Sequence, residues 1–365
     1  MNDGFARLIG VTRVGRVTGL DRAGVEVACA VRPRGHVLQV ANGKGRSWEE
    51  ARRAALGEAA ELWAAERVAP EELLYGTPAG MRARFGAAAV WDGDLGSAGS
   101  RTAPELWGDR IFCAFRAGRN LFSGTRVFAP AAALHCPPPG SPPIGPRIWQ
   151  WTSNGMGAHV RGGLALRHAL LEAIERDQLA RSLPEGWTEQ EMERRAVAPA
   201  SLPEGLRRWQ RHLATVGLHL WLFDLTPTSN LGVPVAGALL LDDGHAPVPL
   251  TAGYACRLEP REALLAAFFE AAQSRLTDIH GAREDVAPMA PGDLRRLCAA
   301  VARVKPRRTA AALPAPPQRA GTDWLLHRLQ RAGHRRVAAF ELAPPGFPGS
   351  VVKIVAPSLL RSALL

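Results

Sequence analysis

Three segments of the chain place acidic residues inside runs of small and apolar residues. In each segment an acid is followed three residues later by a second acid or an amide, and the pairs are Glu58 and Glu61, Glu172 and Glu175, and Glu270 and Gln273. Residues three apart lie on one face of a helix, so each pair would project two oxygen-bearing side chains in one direction. Because a buried carboxylate without a partner is costly, the pattern predicts a cation between the helices.

Three kinds of site fit such acids. In the first, the acids bind Mg²⁺, which prefers oxygen ligands and shares them with phosphates, while Lys44, Arg176 and Arg275 supply positive charge. In the second, the acids and arginines form buried ion pairs without chemistry. In the third, paired carboxylates perform glycoside-type acid and base catalysis, but that chemistry requires two carboxyl groups and leaves Lys44 unexplained. Recurrence in three segments favours the magnesium–nucleotide site over the other two.

The composition is that of an ordinary globular protein. The chain has 365 residues, of which 47% are hydrophobic and 22% charged. No apolar stretch approaches the roughly 20 residues of a membrane span, and the first residues lack the pattern of a signal peptide. The five cysteines are scattered without a CxxC pair, which favours reduced thiols and argues against a structural zinc site. We therefore expect a cytoplasmic protein without a membrane anchor.

The formal net charge of +11 invites comparison with nucleic-acid-binding proteins. However, only three of the basic residues are lysines, and a bias to arginine alongside abundant alanine and glycine is typical of a GC-rich coding sequence. The basic residues are spread along the chain, and no nucleic-acid-binding module is recognisable. Nucleic acid is therefore not expected as a partner, and an unrelated basic peptide- or RNA-binding protein is the weakest alternative. An acidic peptide or protein partner fits the charge at least as well.

Glycines stand ahead of each acid-bearing helix. Gly45, Gly157 and Gly253 are interpreted as turns, because glycine lets the backbone approach a ligand closely. Lys44 lies between two glycines, but this segment is too short for a Walker A loop. Ser47 begins a capping box and therefore predicts the start of the first helix.

Strands are predicted before each helix and near the end of the chain. They cover residues 24–31 and 36–40, 111–115 and 126–129 as a possible hairpin, 218–225 and 233–241, and 337–342 and 351–355. Strands, a glycine turn and an acid-bearing helix thus occur three times, which predicts an internally repeated α/β domain.

The expected organisation is one domain over residues 1–365. Its subunits cover roughly residues 1–70, 105–180 and 215–290, and a closing segment covers 300–365. The expected fold is therefore α/β, built from repeated strand–glycine turn–helix units around a central nucleotide site.

Several segments together resemble the YcaO family of ATP-dependent enzymes that activate peptide backbone amides. The resemblance runs through nearly the whole chain and is carried by residues 43–45, 55–61, 153–156, 169–177, 269–275 and 281–285. The opening segments, residues 10–14 and 18–25, resemble the branch that is usually partnered with a TfuA protein.

The resemblance implies a fold, two cofactors and a set of site residues. Mg²⁺-ATP would be held by the acids Glu58, Glu61, Glu172, Glu175 and Glu270. The residues that would contact phosphates or complete the cofactor pocket are Lys44, Ser153, Arg176, Gln273 and Arg283. A ribosomal precursor peptide or protein is the implied substrate, a TfuA-like protein is a possible partner, and a homodimer is expected.

The chemistry that the resemblance implies begins with attack of a nucleophile on an amide carbon. The resulting oxyanion takes the γ-phosphoryl group of ATP, and phosphate then leaves in place of hydroxide. The products in this family are azolines, amidines or thioamides. The tail ends without the Pro-x-Pro-x-Pro pattern of many azoline-forming members, which favours thioamide formation or another stand-alone activity.

Three departures from the family pattern support an alternative. Family members usually carry serine at the position of Ala54 and arginine at that of Leu62, and residues 159–163 replace their Gly-Asn-Thr turn. The alternative is therefore a degenerate, non-catalytic YcaO-like subunit that binds the precursor peptide or a partner enzyme.

Overall fold

The computed structural model describes residues 3–96, 98–102, 104–227, 231–242, 248–281, 290–362 and 364. Its helices are α1 (Asp3–Leu8), α2 (Trp48–Glu66), α3 (Pro78–Phe85), α4 (Ala131–Leu134), α5 (Gly162–Ser182), α6 (Glu189–Arg195), α7 (Glu204–Thr215), α8 (Pro260–His280), α9 (Pro291–Arg303) and α10 (Thr322–Arg331). Its strands are β1 (Arg13–Arg16), β2 (Glu26–Val31), β3 (Val40–Gly45), β4 (Leu73–Gly76), β5 (Gly99–Arg101), β6 (Cys113–Asn120), β7 (Arg126–Pro130), β8 (Trp149–Trp151), β9 (Met156–His159), β10 (Leu218–Asp224), β11 (Val235–Asp242), β12 (Leu250–Cys256), β13 (Ala338–Glu341) and β14 (Ser350–Val355).

The strands of the described residues form antiparallel sheets. Two sheets have three strands each, in the orders β1-β2-β3 and β10-β11-β12. A larger sheet runs β4-β6-β13-β14-β9, with β7 paired to β6, and β5 pairs with β8. Strand β14, near the C-terminus, therefore lies beside β9, which is the strand that precedes α5.

Most of the predicted strand pairs are confirmed. The pairs β6–β7, β10–β11 and β13–β14 are each antiparallel neighbours. The strand predicted over residues 36–40 is wrong. The backbone N–H groups of His36 and Val37 instead donate to the carboxylate of Glu66, at 3.0 and 2.9 Å, so they are not available to a sheet.

Each acid-bearing helix lies across one sheet. Helix α2 packs on β2 and β3, α5 on β9 and β14, and α8 on β11 and β12. Leu56, Ile174 and Phe268 anchor the three helices, since each is fully buried and each belongs to a different apolar cluster. Burial of the apolar helix faces, more than helix propensity, therefore holds the helices in place.

The predicted glycine turns are wrong, because the glycines lie inside strands. Gly43 and Gly45 belong to β3, Gly157 to β9 and Gly253 to β12. A Cβ atom added to Gly43, Gly157 or Gly253 would lie 2.0, 2.5 or 2.2 Å from a backbone atom of the helix packed on that strand. These glycines therefore allow a close approach of helix to strand, and none of the three has a positive φ.

The three helix–sheet units form a closed ring. Besides its own sheet, α2 packs against β9, α5 against β12 and α8 against β3. Each helix thus contacts the glycine-bearing strand of the next unit, and the third unit contacts the first. Within the described part of the chain, no helix is both long and apolar enough to cross a membrane.

Candidate functional site

The three acid pairs differ in their position along the helix relative to the residue that faces the strand glycine. We call this position the level of a residue. The residue whose backbone nitrogen faces the strand glycine is Ala55 in α2, Ala169 in α5 and Ala271 in α8. The first acids of α2 and α5 follow this alanine by three residues, whereas Glu270 precedes it by one. The pair Glu270 and Gln273 is therefore displaced by about one helical turn from the position that the sequence repeat suggests.

The second acids of α2 and α5 join neighbouring units. Glu61 accepts a hydrogen bond of 2.8 Å from the backbone N–H of Ala158 in β9. Glu175 likewise accepts a hydrogen bond of 2.8 Å from the backbone N–H of Cys256 in β12. One oxygen of each carboxylate is thus committed to the contact between units.

At the third junction of the ring, a neutral residue occupies the helix position that Glu61 and Glu175 occupy at the other two. Thr277 follows the glycine-facing alanine of α8 by six residues, as Glu61 and Glu175 do on their own helices. Its hydroxyl accepts a hydrogen bond of 2.8 Å from the side-chain amide of Asn42 in β3. It also donates to the carbonyl oxygen of Gln273 at 2.9 Å. At this helix position a carboxylate is therefore present in α2 and α5 but not in α8.

The acids of α2 and α5 repel one another in an enclosed space. Burial raises the pKa of Glu61 well above its ordinary value, and the charges of Glu172 and Glu58 raise it further. Burial also raises the pKa of Glu172 to about 7, because the opposing charge of Arg176 is smaller in effect. A bound cation would relieve this repulsion, so these residues fit a divalent metal ion.

Four charged side chains of the cluster are partly exposed to solvent, and the space that Lys44, Glu270, Arg176 and Glu172 border is called the recess. Exposed fractions are 23% and 25% for the side chains of Lys44 and Glu270, and 15% and 19% for those of Arg176 and Glu172. Protein surrounds these groups closely enough to shift the pKa of Glu172 and Glu270, yet none of the four is sealed from water. This combination favours a ligand site over buried ion pairs without chemistry.

Arg176 lies between two acids but is incompletely bonded. Its Nη2 is 3.6 Å from Glu172 and its Nη1 is 3.7 Å from Glu175, which are ion-pair distances and too long for good hydrogen bonds. Nε and Nη1 are buried and have no hydrogen-bond partner among the described residues. Because buried donors are normally satisfied, these atoms also point to an anionic ligand.

Lys44 joins the first unit to the third. Its Nζ lies 2.8 Å from a carboxylate oxygen of Glu270. Burial would raise the pKa of Glu270, but the charges of Lys44 and Arg176 outweigh it and the pKa is lowered. Glu270 therefore stays ionised, in contrast to Glu172.

The structure describes two of the three remaining predicted site residues. Ser153 is exposed in the turn between β8 and β9, where its carbonyl accepts from the N–H of Met156 at 3.1 Å. Gln273 is half-buried on α8, and Arg283 lies outside the described residues. In the part of the chain that the structure describes, no three acidic, histidine or cysteine side chains are grouped closely enough to hold one metal ion by themselves.

Arg275 does not supply charge to the recess, so that prediction is wrong. Its guanidinium is buried and bonded to Asp21 at 3.0 Å and to Asp242 at 2.7 Å. Arg275 follows Glu270 by five residues, which turns its side chain about 140° around the helix axis. The sequence interval itself could have revealed this.

Lys353 lies at the recess and was not predicted. It is fully buried in β14, its Nζ donates to the carbonyl of Thr152, and it lies 5.0 Å from the ring centroid of Trp151. Burial lowers the pKa of Lys353 to about 7, although the charge of Glu172 opposes the shift. A lysine flanked on both sides by valine and isoleucine in a strand was the available signal.

Arg257 and His168 also face the acids. The protein packed around His168, and then the charges of Arg257 and Lys44, lower its pKa to about 4. His168 lies one residue before the glycine-facing alanine of α5, so it occupies on α5 the level that Glu270 occupies on α8. His168 is therefore neutral near pH 7.

Comparison with known proteins shows the family of this chain. Residues 42–360 match the family model described as YcaO cyclodehydratase, ATP- and Mg²⁺-binding. An uncharacterized protein in the tfuA 3′ region of Rhizobium leguminosarum bv. trifolii is 30% identical over 369 residues, covering 97% of this chain and 84% of that protein.

Solved structures share the fold. YcaO from Methanopyrus kandleri, bound with AMPPCP and Mg²⁺, superposes with a TM-score of 0.72 at 20% identity, covering 98% of this chain and 88% of that one. A heterocyclase in complex with substrate and cofactor also gives a TM-score of 0.72 at 21% identity. The match covers 96% of this chain but only 50% of that heterocyclase. The chain therefore belongs to the YcaO family, whose cofactors are ATP and Mg²⁺.

Proposed function

We propose that this protein uses ATP and Mg²⁺ to activate a backbone amide of a ribosomally made peptide or protein. An amide oxygen is a poor leaving group. When a nucleophile has added to the amide carbon, transfer of the γ-phosphoryl group to that oxygen lets it depart as phosphate. The observation that carries the proposal is the cluster in which acids of α5 and α8 form ion pairs with Lys44 and Arg176, while Glu58 and Glu61 of α2 lie close enough to interact with Glu172.

The proposed roles follow from the charges. The acids that would hold Mg²⁺ are Glu58, Glu61, Glu172, Glu175 and Glu270. Since no three of the described acids are grouped closely enough to hold one ion, phosphate oxygens and water would complete its coordination, as is usual for Mg²⁺. Arg176 and Lys44 would bind phosphate oxygens, and the lack of a hydrogen-bond partner for Nε and Nη1 of Arg176 among the described residues supports its role. Ser153, Gln273 and Arg283 are proposed to complete the pocket.

A thioamide is the product that we propose first. The relative from a tfuA region supports it. In thioamide formation the nucleophile is an external sulfur donor, and sulfur replaces the departing oxygen. An azoline is the other outcome, in which a Cys, Ser or Thr side chain of the substrate attacks and water is lost overall.

Mass spectrometry of the substrate tests the proposal. Candidate peptides would be incubated with the protein, ATP, Mg²⁺ and a sulfide source, with and without a TfuA homologue. Exchange of oxygen for sulfur in the wild type, absent in Glu172→Gln, supports thioamide formation. Loss of water supports the azoline, and an unmodified peptide together with no ATP consumption contradicts the proposal.

A non-catalytic subunit remains a second candidate because of one position. Ala54 is exposed at the level that Glu270 occupies on α8 and His168 occupies on α5. The first helix therefore offers no polar group there. A subunit of this kind would bind the precursor peptide or partner enzyme with the same affinity in Glu172→Gln as in the wild type, and neither protein would hydrolyse ATP.

We further propose that the chain works as one domain and forms a homodimer. We also propose that it binds a TfuA-like partner protein. The closed ring of helix–strand contacts supports one domain, since each unit is held by the other two. A single cooperative unfolding transition would support it, and separate transitions would contradict it. Co-purification and sedimentation with a TfuA homologue test the assembly.

A further inference from the structure

Arg257 is a cation beside the recess that forms no ion pair with the described acids. It directly follows Cys256, the last residue of β12, and its side chain is half-buried. The N–H of Cys256 donates to Glu175, so the backbone that carries Arg257 is fixed beside that acid. The sheet therefore positions the backbone of Arg257 beside the recess.

The guanidinium of Arg257 keeps most of its donors unused. Its Nη1 donates to the carbonyl of Cys256 at 2.8 Å, the one hydrogen bond that its guanidinium makes to the described residues. No carboxylate of the described residues lies within ion-pair distance of it. In this it differs from Lys44, which holds Glu270, and from Arg176, which lies between Glu172 and Glu175.

The charge of Arg257 nevertheless acts inside the recess. It contributes to lowering the pKa of His168 and of Glu270, and it opposes the raised pKa of Glu175. These groups lie on α5 and α8, so Arg257 faces the space between the two helices. A planar guanidinium with free donors at such a place matches the oxygens of a phosphate group.

We infer that Arg257 binds the phosphate chain of the nucleotide, as a third cation beside Lys44 and Arg176. The inference rests on the proposed function, because it needs a nucleotide in this recess. Arg257 would balance the acids of α5 and α8 when the triphosphate enters between them. A carboxylate of the substrate peptide is the competing anion, and the experiment separates the two.

The test is nucleotide affinity measured by calorimetry on the full chain, without peptide. Mg²⁺ with ATP, ADP and AMP would be titrated into the wild type, Arg257→Gln, Arg257→Lys and the control Arg261→Gln, whose arginine is exposed on α8. We expect Arg257→Gln to weaken ATP binding about 10- to 100-fold and AMP binding less, since a charge-assisted phosphate contact is lost. Arg257→Lys should retain part of the affinity, and Arg261→Gln should bind as the wild type does.

The outcomes are distinguishable. If the wild type binds Mg²⁺-ATP and Arg257→Gln binds it equally well, the inference is wrong while the proposed function stands. The same holds if Arg257→Gln binds every nucleotide as the wild type does but loses affinity for a candidate peptide in a separate titration. If the wild type binds no nucleotide, the proposed function itself fails. Unchanged circular dichroism of the variants, together with the graded response of Arg257→Lys, excludes unfolding as the cause of a loss.

Discussion

Glu61 of α2 accepts a hydrogen bond of 2.8 Å from the backbone N–H of Ala158 in β9, although the two residues are far apart in sequence. The same carboxylate is close enough to Glu58 and Glu172 for their charges to raise its pKa. One side chain therefore both fastens the first unit to the second and contributes charge to the recess. Substitution can separate the two roles.

Glu61→Gln should preserve the fold and weaken Mg²⁺ binding. A glutamine oxygen still accepts from the N–H of Ala158, so the free energy of unfolding should change by less than about 1 kcal/mol. Glu61→Ala leaves that N–H without a partner and should cost about 1–3 kcal/mol. Urea denaturation of both variants checks this, and equal destabilisation would show that the hydrogen bond is not what joins the units.

Gly253→Ala should be strongly destabilising. Its Cβ would lie 2.2 Å from the backbone nitrogen of Ala271, so α8 would have to move away from β12. Overpacking of this kind costs about 1–3 kcal/mol or more. Gly163→Ala is the matched control, because nothing lies within 4 Å of the added Cβ and the residue is in the first turn of α5. If both variants melt alike, the close approach of helix to strand is not the reason for the glycine.

The contribution of Glu172 to stability without nucleotide should be lost as the pH rises toward neutrality. The pKa of Glu172 is raised to about 7 in the folded protein, so this side chain binds a proton more tightly in the folded than in the unfolded state. This contribution is present at low pH and is lost as the pH rises through about 7. Glu61 and Glu175, whose pKa values are also raised, act in the same direction.

Mg²⁺-ATP should oppose this loss, because the cation binds the ionised carboxylates. Melting temperatures measured between about pH 5 and about pH 8 should therefore show a nucleotide-induced shift that grows with pH. In Glu172→Gln the nucleotide-induced shift in melting temperature should increase less with pH. A shift that is independent of pH would contradict the assignment of Glu172 to the cation.

The sequence was sufficient to find the acids but not to place them. The spacing of Glu58 and Glu61 determines a shared helix face, because helix geometry is local. The displacement of Glu270 by one turn depends on which alanine faces Gly253, and that contact is made across the sheet. The glycines were misread as turns because a tight turn and a tight helix–strand contact both require the residue without a Cβ.

Lys353 and Arg257 were missed for a related reason. Lys353 lies in β14 and Arg257 directly follows β12, and neither strand carries an acid. Lys353 reaches the recess because β14 pairs with β9, and Arg257 reaches it because β12 leads into α8. Their roles depend on tertiary neighbours that no local pattern specifies. Arg275, by contrast, was assigned to the recess although its interval from Glu270 already placed it on another face.

The central claim is that acids from separate helices hold Mg²⁺-ATP in one recess. Calorimetric titration of ATP, with and without Mg²⁺, into the wild type, Glu172→Gln and Glu185→Gln tests it most directly, since Glu185 is exposed just beyond α5. We predict binding that requires Mg²⁺, is weakened at least about tenfold in Glu172→Gln, and is unchanged in Glu185→Gln. Binding that does not need Mg²⁺, or that is equal in all three proteins, would contradict the account.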